Sequence, residues 1–212
     1  MLSWIGLLVI IGMEYLIRNV LLPMPPQDGS ILLAAGAEWL LFLGLMGFWI
    51  PRMEEQTLES IGFRGFKVRY LGLGALAYLV YLILSAGSGF LIEAVGLDSI
   101  RSLQPMIGSL QPAALLVLFL TGTIVEEVFY RGYLIERITL LTEKRWLAGL
   151  LSWVLFSLVH LRFFGPGPTL DVSVLSGLLV LLYLKEDNLW PGIVLHGING
   201  IFAYLLFPLL TG

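Results

Sequence analysis

The segment Thr123-Ile124-Val125-Glu126-Glu127-Val128-Phe129-Tyr130-Arg131-Gly132 sets two adjacent carboxylates and an arginine at the end of an apolar run that begins at Ala113. At α-helical pitch Glu127 and Arg131 share a face, acid before base, the favourable order for an ion pair. Glu126 then points about 140° away from Arg131 and needs another partner. Only two histidines occur, His160 and His196, each in a later apolar segment, and Asn199 follows His196 by three residues. Ionisable side chains inside a bilayer are costly and tend to line one polar cavity. A carboxylate beside a neutral imidazole can deprotonate a water and later return the proton to a leaving amine. A second imidazole and an amide can donate to the oxyanion of a tetrahedral intermediate. Peptide hydrolysis fits this set. The same Glu126, His160 and His196 could instead ligate a divalent metal such as zinc, with its bound water as nucleophile. No acid that would back either histidine is legible, so a site without a cofactor is favoured.

Composition defines the solvent of these helices. The 212 residues are 58% hydrophobic and 13% charged, with a mean hydropathy of +0.92, against about a quarter charged in ordinary globular chains. The expectation is an all-α, polytopic transmembrane bundle forming a single integral membrane domain over residues 1–212. The chain has no cysteine, which excludes thiolate catalysis, disulfides and thiolate metal sites. A net charge of −3 argues against a nucleic-acid partner.

About seven spans are expected. The first covers Leu2–Leu22 and is read as retained, since it lacks a basic start and a small-residue cleavage site. Its Glu14 and Arg18 are four apart and are expected to satisfy each other. The second, 31–50, carries a lone Glu38 to which no role is assigned. Residues 57–63 read as a short interfacial helix. In the third, 70–95, Gly72, Gly74, Gly87 and Gly89 are expected to allow close helix approach. A loop over 96–112 leads to the fourth span, which starts at Pro112 and runs to about Arg137. The fifth covers 146–164, and Gly165-Pro166-Gly167-Pro168 is expected to break it. The sixth, 172–184, is short for a full crossing, and the seventh runs from Leu189 to about Leu210. No internal repeat supports an inverted-repeat carrier.

Arg52, Arg64, Lys67, Arg69, Lys144, Arg145 and Lys185 fall in the 51–69, 138–145 and 185–188 connections. This bias predicts a cytoplasmic basic end, with the N-terminus inside. Counted from that end, Glu126, His160 and His196 lie about 15, 21 and 10 Å deep. An opening toward the basic face is therefore expected, with Gly65–Lys67 and Glu136–Arg145 as rim and membrane lipids as further partners.

Glu126-Glu127-x-x-x-Arg131, Phe156-x-x-x-His160 and the His196 segment, in this order on separate spans, resemble the CAAX protease and bacteriocin-processing (CPBP) family, which includes Rce1-type prenyl proteases. The likeness covers residues 113–207, and Leu58-Glu59-Ser60-Ile61-Gly62-Phe63 is similar to the family's lead-in. The resemblance implies a glutamate-dependent intramembrane endopeptidase in a prokaryotic cytoplasmic membrane, acting on a peptide or protein substrate, lipid-anchored in the CAAX case. It implies that Glu126 and His160 activate water, that His196 and a following Asn stabilise the oxyanion, and that Arg131 supports Glu127. The family places Asn or Asp four residues after the last histidine. Here that position is Gly200, with Asn199 one residue early. Two other classes remain: a non-catalytic membrane interaction or bacteriocin self-immunity protein, and a small-solute carrier.

Overall fold

The structure, a computed structural model, describes residues 2–22 and 26–206. All regular elements among the described residues are helical. Among the described residues six helices are long and apolar enough to cross a membrane: α1 Leu2–Leu21, α2 Asp28–Met53, α3 Arg69–Ala94, α4 Pro112–Thr142, α5 Arg145–Phe164 and α6 Pro166–Glu186. A shorter apolar helix, α7, covers Trp190–Leu206. In lipid the backbone must satisfy its own donors and acceptors, and continuous helices do so.

Three helix starts explain where the spans begin. Prolines stand in the first turn of α4, α6 and α7, where the N–H they lack has no intrahelical partner to lose. This corrects the sixth span. Gly165, at φ +77°, makes the turn, and Pro166 opens a 21-residue helix rather than prolonging a break. The short segment is instead α7, and the expected extension of the seventh span to Leu210 lies outside the described residues. The 96–112 connection is not wholly a loop, since it holds helical turns at Ile100–Leu103 and Gln104–Gly108.

α4 is the central helix. Of its apolar window 56% is buried, against 22% for α3. Val125, Val128, Phe129, Tyr133, Leu134 and Ile135 carry it into a core shared with α1, α2, α5 and α6. Of the four glycines expected to admit neighbours in α3, only Gly74 does. A Cβ there would lie 2.5 Å from Val194, whereas Gly72, Gly87 and Gly89 face open space. The segment expected at the interface is a 3-10 turn, Leu58–Ile61, with Ile61 fully buried. It plugs the bundle against Gly132, where a Cβ would stand 2.8 Å from the Ile61 carbonyl oxygen.

The helices alternate in direction, which gives the bundle two unlike ends. The basic end gathers the 54–68, 143–144 and 187–189 connections. Four of its cations are paired: Arg64 and Arg145 with Asp187, Arg69 with Glu186, and Arg137 with Glu54. Against the upward pull of partial burial, hydrogen bonds from Arg145 and Arg64 hold the Asp187 carboxyl below its ordinary range. The opposite end gathers residues 22, 26–27, 95–111 and Gly165.

Candidate active site

Thr121–Leu134, the stretch of α4 that carries the two glutamates, winds as a π-helix rather than an α-helix. Such i→i+5 winding is often found at functional sites. The 100° spacing assumed from the sequence therefore does not hold here. The pairing of Glu127 with Arg131 holds nonetheless, at 3.2 Å with both side chains buried. Arg131 also donates to Ser176 Oγ at 2.8 Å, and its guanidinium lies 4.1 Å over the Phe156 ring. Glu127 Oε1 takes a second bond, from His196 Nδ1–H at 2.9 Å. α7 comes this close because Gly192 has no side chain: a Cβ there would stand 2.8 Å from Glu127 Oε2.

Glu126 turns to the other side and finds a partner far away in sequence. Arg18 Nη2 of α1 donates to Glu126 Oε1 at 2.6 Å. Arg18 Nε donates to Glu14 Oε2 at 3.0 Å, and Nη2 lies 3.5 Å from Glu38 Oε1. The expected Glu14–Arg18 pair forms but does not satisfy Arg18 alone, and Glu38, to which no role was assigned, joins it. One buried guanidinium serves three carboxylates from three helices, a grouping with no local signal because its members lie up to 112 residues apart in the chain.

Glu126, His160, His196 and Asn199 all line one cavity of about 170 Å³, together with Arg18 and Glu38. Glu127 and Arg131 stand behind its wall. At Gly122 the absent side chain leaves a space between two working atoms. A Cβ there would lie 3.5 Å from His196 Nε2 and 3.8 Å from Glu126 Oε2. The tautomers follow from the partners. His160 Nδ1 lies 2.7 Å from the Phe156 carbonyl, which only accepts, so Nδ1 carries the proton and Nε2 a lone pair. His196 Nδ1–H likewise donates a hydrogen bond to the Glu127 carboxylate. Phe156 spaces the imidazoles, with ring centroids 4.5 Å from His160 and 6.3 Å from His196. The departure at position 200 has a counterpart in α4. A side chain there would meet Phe119 at 2.8 Å, while Asn199 keeps its place in the cavity wall.

The expected rim is overturned. Neither Gly65–Lys67 nor Glu136–Arg145 lines the cavity. Leu22, Pro26, Met106, Ile107, Leu110, Phe163 and Phe164 do, and these belong to the opposite end. Depth explains it. α4 continues to Thr142, which leaves Glu126 about 24 Å from the basic end, while His160 lies about 6 Å from the close of α5.

A metal at Glu126, His160 and His196 would have Glu127 behind His196, a supporting acid that the sequence did not reveal. The Arg18 guanidinium already occupies one oxygen of Glu126, where it would repel a second cation. Among the described residues no three histidine, aspartate or glutamate side chains form a ligand set. A further buried acid outside the cavity wall, Asp171, accepts hydrogen bonds from Tyr81 at 2.7 Å and Ser85 at 2.5 Å. It ties α3 to α6 and was not singled out in the sequence.

Fold and site define a class: an integral membrane helical bundle with a carboxylate- and imidazole-lined cavity among its spans. Residues 108–202 match the family model described as type II CAAX prenyl endopeptidase Rce1-like, in keeping with the three motifs. No curated protein and no solved structure matches the chain. The matched region contains Glu126, Glu127, Arg131, His160, His196 and Asn199 but none of Glu14, Arg18 and Glu38.

Proposed function

We propose that the protein is a glutamate-type intramembrane endopeptidase acting on a peptide or protein substrate at the membrane. The observation that carries this reading is the space over Gly122, faced by Glu126 Oε2 and His196 Nε2. In the proposed cycle a water is held by Glu126 Oε2 and the His160 Nε2 lone pair. Glu126 takes one proton as the water oxygen attacks the scissile carbonyl carbon. The C=O π electrons move to oxygen, and the oxyanion is met by the Asn199 amide. His196 assists there when its Nε2 carries a proton, with Nδ1–H bonded to Glu127. Collapse of the intermediate breaks the C–N bond, and Glu126 returns its proton to the leaving amine. The products are one new carboxyl group and one new amine, and Glu126 is restored. No resident metal is needed, because the required proton acceptor and oxyanion donors are side chains.

By the bias of Lys and Arg toward one end, the basic end and the N-terminus are cytoplasmic, and the cavity then faces the other leaflet. Cysteines placed singly at Lys67 and at Met106 of this cysteine-free chain are expected to react with an impermeant thiol reagent from opposite sides of the membrane. Labelling of both from one side would contradict the arrangement. The activity itself is tested by incubating the purified protein with a peptide library that includes prenylated CAAX peptides, followed by mass spectrometry of the products. Cleavage by the wild type and none by Glu126→Ala is the expected result. No cleavage of any member would favour the non-catalytic membrane interaction protein.

A further inference from the structure

The cluster around Arg18 lies outside the part of the chain that matches a protease family, yet it ends on the carboxylate assigned there as the base. Arg18 is buried on α1, Glu14 one turn before it is buried, and Glu38 is buried on α2. The guanidinium uses Nη2 on Glu126 and Nε on Glu14, and Tyr130 OH donates to Glu14 Oε2 at 3.4 Å. Both bonds to Glu14 fall on Oε2, and together with the bond to Glu126 they fix the fork of Arg18 in direction. Arginine suits this duty, because its planar fork remains charged in any surroundings and binds carboxylates in a set geometry.

A carboxylate base needs one oxygen free and aimed at the water. On Glu126 the bond from Arg18 falls on Oε1, and Oε2 is the oxygen nearest the space over Gly122, with His196 Nε2 across from it. Without Arg18 the side chain of Glu126 would lose the contact that decides which oxygen faces the water. It would also lose the positive charge that compensates it in an apolar wall.

We infer that Arg18 is a positioning residue for the reaction, holding Glu126 by Oε1 so that Oε2 meets the water, and that the N-terminal helices therefore belong to the active site rather than merely flanking it. This rests on the reading of Glu126 as the base. When Glu126 takes up the proton its hold on Arg18 weakens, and Glu38 Oε1, 3.5 Å from the same nitrogen, is placed to keep the guanidinium from leaving. Arg18 touches neither water nor substrate in this scheme. It acts through Glu126.

The test uses the full chain in detergent and the library peptide that the wild type cleaves fastest. Arg18→Ala is expected to lower kcat by about 100-fold with KM changed by less than about 3-fold, because the substrate's own contacts remain. Methylguanidinium added to Arg18→Ala is expected to recover a large part of kcat, and to recover none in the Arg18→Ala/Glu126→Gln double variant. Loss of fold alone would not be repaired by a small cation. Arg18→Lys, which keeps the charge without the fork, serves as the second variant if Arg18→Ala does not fold, and is expected to fall between wild type and Arg18→Ala in kcat. Wild-type kcat in a folded Arg18→Ala or Arg18→Lys protein, with Glu126→Gln inactive, would overturn this inference and leave the proposed function standing. Absence of any Glu126-dependent cleavage by the wild type would overturn the proposed function and this inference together.

Discussion

Two buried ion clusters meet at one pair of adjacent residues, and they are built by different rules. The cluster at Glu127 joins Arg131, one turn along the same helix, with His196 and Ser176, all within the matched 108–202 region. Among its carboxylates and guanidinium it holds one of each, so charge is balanced locally. The cluster at Glu126 draws Glu14 and Arg18 from α1 and Glu38 from α2, and sets three carboxylates around one guanidinium. The first is closed: Glu127 and Arg131 have no exposure. The second borders the cavity. A balanced pair sealed in apolar surroundings serves to hold helices in register, whereas an acid-rich group at a cavity wall can pass a proton without stranding the cation. Two adjacent positions of one helix thus hold a carboxylate sealed in a pair and, under the proposed function, a carboxylate that does chemistry.

The comparison is sharpened first at Arg131. Its removal leaves Glu127 buried without its guanidinium, a change that commonly costs about 3–5 kcal/mol. Arg131→Ala is therefore expected to show a large loss of thermal stability in detergent, read by differential scanning fluorimetry, together with poor recovery of folded protein. A variant as stable as the wild type would show that the pair is not the anchor of α4.

Glu14→Gln should have a much smaller effect. Two carboxylates still face Arg18, and the amide can keep hydrogen bonds to Arg18 and Tyr130, so the expected change in stability is within about 1 kcal/mol in either direction. A loss as large as that of Arg131→Ala would break the distinction between an acid-rich and a balanced cluster.

The sequence made one cluster readable and hid the other. Glu127 and Arg131 share a helix, and an i, i+4 pair survives even the wider winding of Thr121–Leu134. The candidate residues Glu126, His160, His196 and Asn199 were also found from their types, because few polar groups occur in these spans and each must be accommodated. Arg18 is legible only in part, for the same local reason that serves Glu127 well: its pair with Glu14 forms, and its reach to Glu126 is hidden. An acid four residues away looked sufficient, and nothing in the chain records that Glu126 stands within reach. A proline after a glycine reads locally as a breaker, whereas Pro166 opens a helix. Depth failed more seriously. Boundaries wrong by five residues at the end of α4 shifted the counted position of Glu126 by about 8 Å, enough to assign the cavity to the wrong end. Position 200 was flagged as a departure from the family pattern, whereas the Phe119 ring that fills the space is a tertiary fact with no trace in the spacing.

The division of labour between the two adjacent glutamates is tested most directly by comparing Glu126→Gln with Glu127→Gln in purified, folded protein against the same cleaved peptide. Both substitutions remove one charge and almost no volume. Glu126→Gln is expected to keep wild-type size-exclusion behaviour and thermal stability while cleavage falls by at least about 1000-fold, in the range attributed to a general base. Glu127→Gln is expected to lose stability first, with cleavage measurable in the fraction that remains folded. A folded Glu126→Gln protein that cleaves at the wild-type rate would contradict the assignment.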